Sequence, residues 1–190
     1  MNPAIVLLFI VVIGFLLFIA TRHRPAAEDA GMHRRRIGDG LRHLRALEET
    51  YAVMTPALLS QIPDSQVLEA VLANLWAKMR PGLENASEVM RGLSLPRQAL
   101  YAVYTVTGSL RQHGAAQTLR DEAEWFPQCA QALRALEMDE TAALLQSVQA
   151  GDAQAAEAYL ESFSALDGKG RLVWYIREHV EAFCDEVPSP

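Results

Sequence analysis

The residues in this chain whose types could do chemistry are few and scattered. His113, Gln117 and Asp121 stand at four-residue steps, the spacing that stacks side chains on one helix face and would let them converge as a metal site. Gly114 interrupts that run and ends the predicted helix between the histidine and its would-be partners, and glutamine is a poor metal ligand. His179 follows Glu178 near the end of a predicted helix, where a cationic imidazole is favoured and the two read as a solvated pair. His23, His33 and His43 fall ten residues apart, which no metal site needs. Cys129 and Cys184 are the two cysteines; they read as a small core hydrophobe and a helix-end residue, reduced in a cytoplasmic domain. No Gly-rich phosphate loop, nucleophile elbow, zinc-protease helix or Cys/His cluster at metal spacing occurs. The expectation is a protein that is not an enzyme and needs no metal and no cofactor.

The elements that would position these residues are helices, because apolar residues recur at three- and four-residue steps and no period-two strand pattern occurs. The first soluble helix carries Leu41, Leu44, Leu47 and Tyr51 and is expected to end at Thr55-Pro56. Asp64 is expected to cap the next, whose Val67, Leu68, Val71, Leu72, Leu75, Trp76 and Met79 make a wide apolar face that must be buried. Pro81 stops it, and Gly82 to Gly92 reads as a linker. Ser94 and Pro96 start a helix to about His113 bearing Leu100, Tyr101, Tyr104 and Leu110, and Gly114 is a natural left-handed residue after its end. Cys129, Leu133 and Leu136 follow on one face behind Trp125-Phe126-Pro127; Leu144, Leu145 and Val148 lie between Asp139 and Gly151. Asp152 opens a helix with Ala155, Tyr159, Leu160 and Phe163; after a turn at Asp167 to Gly170, Leu172, Val173, Ile176, Val180 and Phe183 form the last. The fold class is all-α.

Ahead of these helices, 14 of the 17 residues from Ala4 to Ala20 are Ile, Val, Leu or Phe, and none is charged. At 1.5 Å per residue, the stretch from Pro3 to Thr21 spans about 28 Å against a hydrocarbon core of roughly 30 Å. Side chains of this kind contribute roughly −4 to −8 kcal/mol to insertion. A cleavable signal would need a basic residue before the run and a small-x-small site after it, whereas Met1-Asn2-Pro3 precedes and Leu16-Leu17-Phe18-Ile19-Ala20 closes it. The run therefore reads as a retained transmembrane helix. Arg22, Arg24, Arg34, Arg35 and Arg36 follow it, and basic residues stay cytoplasmic. The expected topology has the N-terminus outside and the remainder in the cytoplasm. Those arginines are read as lying over anionic headgroups at about 1 kcal/mol each; an anchor so close argues against direct nucleic-acid binding. The expected organisation is an anchor over 1–21, a basic linker over 22–40, a helical pair over 41–92 and a helical domain over 93–190.

From Ala46 to Pro190 the acidic residues outnumber the basic ones by ten. Asp121, Glu122 and Glu124 form one cluster, and Glu137, Asp139 and Glu140 another at the next helix junction; a solvated surface and a phosphate-like one both fit. The run LPRQALYAVYTV, then LRQHGAAQTLRDEAEWFPQCAQALRALEMDETAALLQ and the closing LDGKGRLVWYIREHVEAF, resembles the C-terminal domain of the bacterial DNA-mimic protein family, a domain of unknown function, over roughly Ser94 to Glu186. Where that family carries Asn-Gly-Gly, an aromatic and Gln, this chain reads Gln112-His113-Gly114-Ala115-Ala116-Gln117, keeping Gly114 and Gln117. The resemblance implies an all-helical fold, acidic surfaces that imitate DNA phosphates to a DNA-binding protein, and a bacterial inner membrane for the anchor. The function expected is a membrane-anchored interaction domain that recruits or sequesters a protein partner, with the six clustered carboxylates as its candidate contacts. The alternative is an enzyme or small-molecule sensor with a pocket between the Tyr101/Tyr104 helix and the turn at His113, Gly114 and Gln117.

Overall fold

The computed structural model of the chain describes residue 40 and residues 42–185, with helices and turns but no strand among the described residues. It divides into two compact units, Met1–Ala46 and Leu47–Pro190. The expected anchor and the linker arginines Arg22, Arg24, Arg34, Arg35 and Arg36 lie outside the described residues. Among the described residues no helix is long and apolar enough to cross a membrane. Helix α1 covers residues 42–50. The second unit continues with α2 (Pro56–Gln61), α3 (Asp64–Met79), α4 (Ala86–Arg91), α5 (Leu95–Asp121), α6 (Phe126–Ala135), α7 (Asp139–Gln149), α8 (Ala155–Ala165) and α9 (Gly168–Glu178), with 3₁₀ turns at Arg80–Asn85, Ala123–Trp125 and Val180–Phe183.

Two expected helix ends turn out to be helix starts. Thr55 caps α2 by accepting the Leu58 N–H at 3.1 Å, with Pro56 just inside, where a missing N–H costs nothing. Pro81 likewise enters a 3₁₀ turn, so the stretch expected as a linker is helical through α4. Ser94 stands at the N-cap of α5 but makes no capping bond; its hydroxyl donates to Ala182 O at 2.6 Å. Asp64 lies one position inside α3, with Pro63 at the cap. Trp76 and Tyr104, both expected in apolar stripes, stand 39% and 44% exposed, while Asn74 is buried in the α3 face.

Helix α5 is the central element and packs on α6, α8 and the Val180–Phe183 turn. At Gly114 its backbone takes φ 74°, ψ 176°, so the expected break occurs, but in a conformation open essentially to glycine alone rather than in the left-handed helical one. The chain turns back there: Ser109 and Thr118 hydroxyls meet at 2.9 Å, and Thr118 donates to Gly114 O at 2.8 Å. Beyond α5, successive helices α6 to α9 pack on their neighbours. Gly168 opens α9 directly under the Phe163 ring, where a Cβ would come within 3.0 Å. The last helix stops at Glu178, and Phe183 reaches the core from the 3₁₀ turn instead.

Residues from Met54 to Phe183 share one hydrophobic core, and the unit does not divide at Gly92. Two side chains tie its ends together. Arg177 of α9 donates to Leu59 O at 2.7 Å, Ile62 O at 2.5 Å and the Asp64 carboxylate at 2.7 Å, satisfying carbonyls at the end of α2. Asp185 accepts from Met54 N–H at 2.9 Å, Asn74 Nδ2 at 3.1 Å, Arg97 at 2.7 Å and Lys78 at 2.8 Å. Burial opposes ionisation of this carboxyl, but Lys78, the Met54 N–H, Arg97 and Asn74 outweigh it and bring its pKa down to about 2.

Candidate functional site

The first acidic cluster sits where α5 ends and the Ala123–Trp125 turn leads into α6. Its three carboxylates are held differently. Asp121 accepts from Gln117 Nε2 at 2.5 Å, one helical turn back. Glu124 accepts from the Ser87 hydroxyl at 2.6 Å and pairs with Arg91, so its charge is met by α4. Glu122 is half-buried; its backbone N–H bonds to Thr118 O and its carbonyl accepts from the Trp125 N–H, but its carboxylate has no hydrogen bond or ion pair among the described residues. Burial, then Asp121 and Glu124, push its carboxyl above the ordinary glutamate range. Beside it runs a file of rings: Trp76 meets Tyr101 edge-on at 6.3 Å, and Tyr101 meets Trp125 edge-on at 5.0 Å. Burial, and secondarily Glu122 and Glu124, raise the Tyr101 phenol against the opposing bond from Thr105.

The second cluster lies at the other end of α6. Glu137 follows that helix at φ 57°; its N–H bonds to Arg134 O and that of Met138 to Leu133 O, both at 2.9 Å, the pair that closes a helix through a left-handed residue. Asp139 and Glu140 occupy the first turn of α7, where the helix dipole favours negative charge. All three are exposed. Arg171 ties this end to the end of α8, donating to Leu136 O at 2.6 Å and Leu166 O at 3.1 Å. The ten residues of α6 separate the two clusters by about 15 Å. Its exposed positions between them are Pro127, Gln131, Arg134 and Ala135, so the six carboxylates form two patches, not one row.

Residues 91–186 match the family described as DMP19-like protein. The chain belongs to the DMP19-like family. The protein for which that family is named is a DNA mimic protein. No curated protein and no solved structure matches the chain.

Elsewhere in the DMP19-like domain, Gln117 bonds Asp121 and Arg120 along the helical stretch after Gly114, and His113 before it is exposed. A groove of about 120 Å³ lies at the opposite end of α5, lined by Leu95, Gln98, Gln128, Gln131 and Tyr175 among others. None of Tyr101, Tyr104, His113 and Gln117 lines it. Among the described residues no three His, Cys, Asp or Glu are placed to hold a metal ion. Cys129, wholly buried, has its thiol pushed up to about 12 by burial, against a bond from Tyr159 that lowers it; with Thr107 and Tyr159 joined at 2.6 Å, these are packed core groups. His179 caps α9, its Nδ1 donating to Tyr175 O at 3.0 Å.

Proposed function

We propose that this protein is a single-pass, membrane-anchored helical domain that binds or sequesters a basic, DNA-binding protein by presenting carboxylates where that partner meets phosphates. Membership of the DMP19-like family carries this reading. It is supported by the exposed patches at the two ends of α6 and by the half-buried, unpaired Glu122, whose charge a cationic partner would neutralise. The anchor is the apolar run from Ala4 to Ala20. The arginines behind it place the N-terminus outside and the helical domain in the cytoplasm, at a bacterial inner membrane.

Competition tests the reading. Partners captured by the full-length chain in mild detergent are expected to be released by duplex DNA, and capture is expected to fall steeply as salt rises from about 0.05 to about 0.3 M. The triple substitution Glu137→Gln, Asp139→Asn, Glu140→Gln should weaken capture. Partners that resist both DNA and salt, or that bind the triple variant as well as wild type, would remove mimicry. A reporter fused to the C-terminus and active only outside the cytoplasm would overturn the topology.

A further inference from the structure

The ring file beside Glu122 is more than core packing. Trp76 and Tyr104 are 39% and 44% exposed, and Tyr104 stands one helical turn beyond Tyr101, whose ring bridges Trp76 and Trp125. Exposed aromatic faces offer a partner both apolar contact and a negative π-surface, and here their surroundings select what that partner is. Among the described residues the Glu122 carboxylate is unpaired, Asp121 is met by an amide, and Glu124 already has Arg91. An apolar partner covering these rings would strip water from the Glu122 carboxylate without pairing it, a net cost. Nucleic acid would be repelled. A cation fits both features at once, since aromatic faces attract cations and the carboxylate completes the charge balance.

We propose that Trp76, Tyr101 and Tyr104 with Glu122 form a cradle for an arginine side chain of a basic protein partner. The inference rests on the preceding reading that the partner is basic, and adds which contact gives it specificity. Arginine is selected over lysine because the guanidinium is planar, weakly hydrated and able to stack on a ring while donating to a carboxylate. The ammonium of lysine is compact and strongly hydrated, and gains less from the same rings.

The test uses the full-length chain in mild detergent with two capped nonapeptides, one of arginine and one of lysine. Wild type is expected to bind the arginine peptide roughly three- to tenfold more tightly. Trp76→Leu should erase that preference, weakening the arginine peptide more than the lysine peptide, and Trp76→Tyr should restore part of it. Tyr104→Leu, at an exposed position, reads the same preference should Trp76→Leu fail to fold. Glu122→Gln should weaken both peptides. As a direct signature, the δ-methylene protons of arginine amide should shift upfield with wild type and not with Trp76→Leu. Equal binding of the two peptides by wild type, with steep salt dependence, overturns the cradle and leaves the acidic reading standing. Binding of neither peptide overturns both. An arginine preference that survives both Trp76→Leu and Tyr104→Leu also overturns the cradle.

Discussion

Gly114 shows how much one residue's dihedral angles decide. A left-handed helical glycine is replaceable by asparagine at modest cost, because asparagine tolerates that region. The observed φ 74° and ψ 176° lie elsewhere, in a region essentially restricted to glycine. Outside the local backbone no heavy atom lies within 4 Å of where a Cβ would go, so the cost of adding one is that of the backbone conformation. Gly114→Ala, Gly114→Asn and Gly114→Val are therefore expected to destabilise alike, each by about 1–3 kcal/mol. Thermal melts check this, and an asparagine variant close to wild type would mean the chain leaves α5 through a left-handed helical residue after all.

At the scale of elements, the second acidic patch is built by a helix ending that tolerates the wrong residue. Glu137 holds φ 57° so that α6 can close on the Arg134 and Leu133 carbonyls. Glycine holds that angle without strain, whereas a residue with a Cβ loses about 1 kcal/mol there. Glu137→Gly is expected to raise the unfolding free energy by about 1 kcal/mol in urea titrations while weakening capture of a basic partner. Stability and binding would then move in opposite directions, as they do where a residue is kept for function. A variant no more stable than wild type would show that the carboxylate, through Arg171 or the dipole of α7, contributes more to the fold than its strained backbone costs.

At the scale of the whole unit, the last described residue holds the first helices. The Asp185 carboxylate is 12% exposed, and Arg97 beside it is 6% exposed. Its pKa falls from 3.8 to about 2. Because the folded-state value is depressed, its contribution of about 2 kcal/mol is fully present above the unfolded value and is lost as pH falls through the folded one. Stability should therefore decline between about pH 4 and about pH 2, and this part of the decline should be absent from Asp185→Asn. That variant leaves two cations facing one another with no counter-charge and is expected to lose roughly 3 kcal/mol at neutral pH. Urea unfolding across the acid range reads both effects; unchanged stability at neutral pH would show that Lys78 and Arg97 find water instead.

Local pattern alone determined that the chain is helical, where most helices lie, and which faces of α6, α7 and α8 are apolar, because three- and four-residue periodicity is written in consecutive residues. It also determined that the chain breaks at Gly114 and that carboxylates gather at both ends of α6. It could not decide what meets what across distance. Whether Pro81 ends a helix or begins the next depends on what the following turn packs against, and Trp76 reads as core until Tyr101 places it at a rim. Asn74 and Asp185 are 111 residues apart, and Arg177 reaches 118 residues back to Leu59, so no window of sequence contains either contact. Glu122, Glu124 and Asp121 look equivalent as neighbours in the chain. The amide that meets Asp121 is a four-residue step along α5 that the sequence does contain, but only the packing of α4 beside them gives Glu124 an arginine and leaves the Glu122 carboxylate without one among the described residues, because charge is compensated by proximity in space and not in sequence.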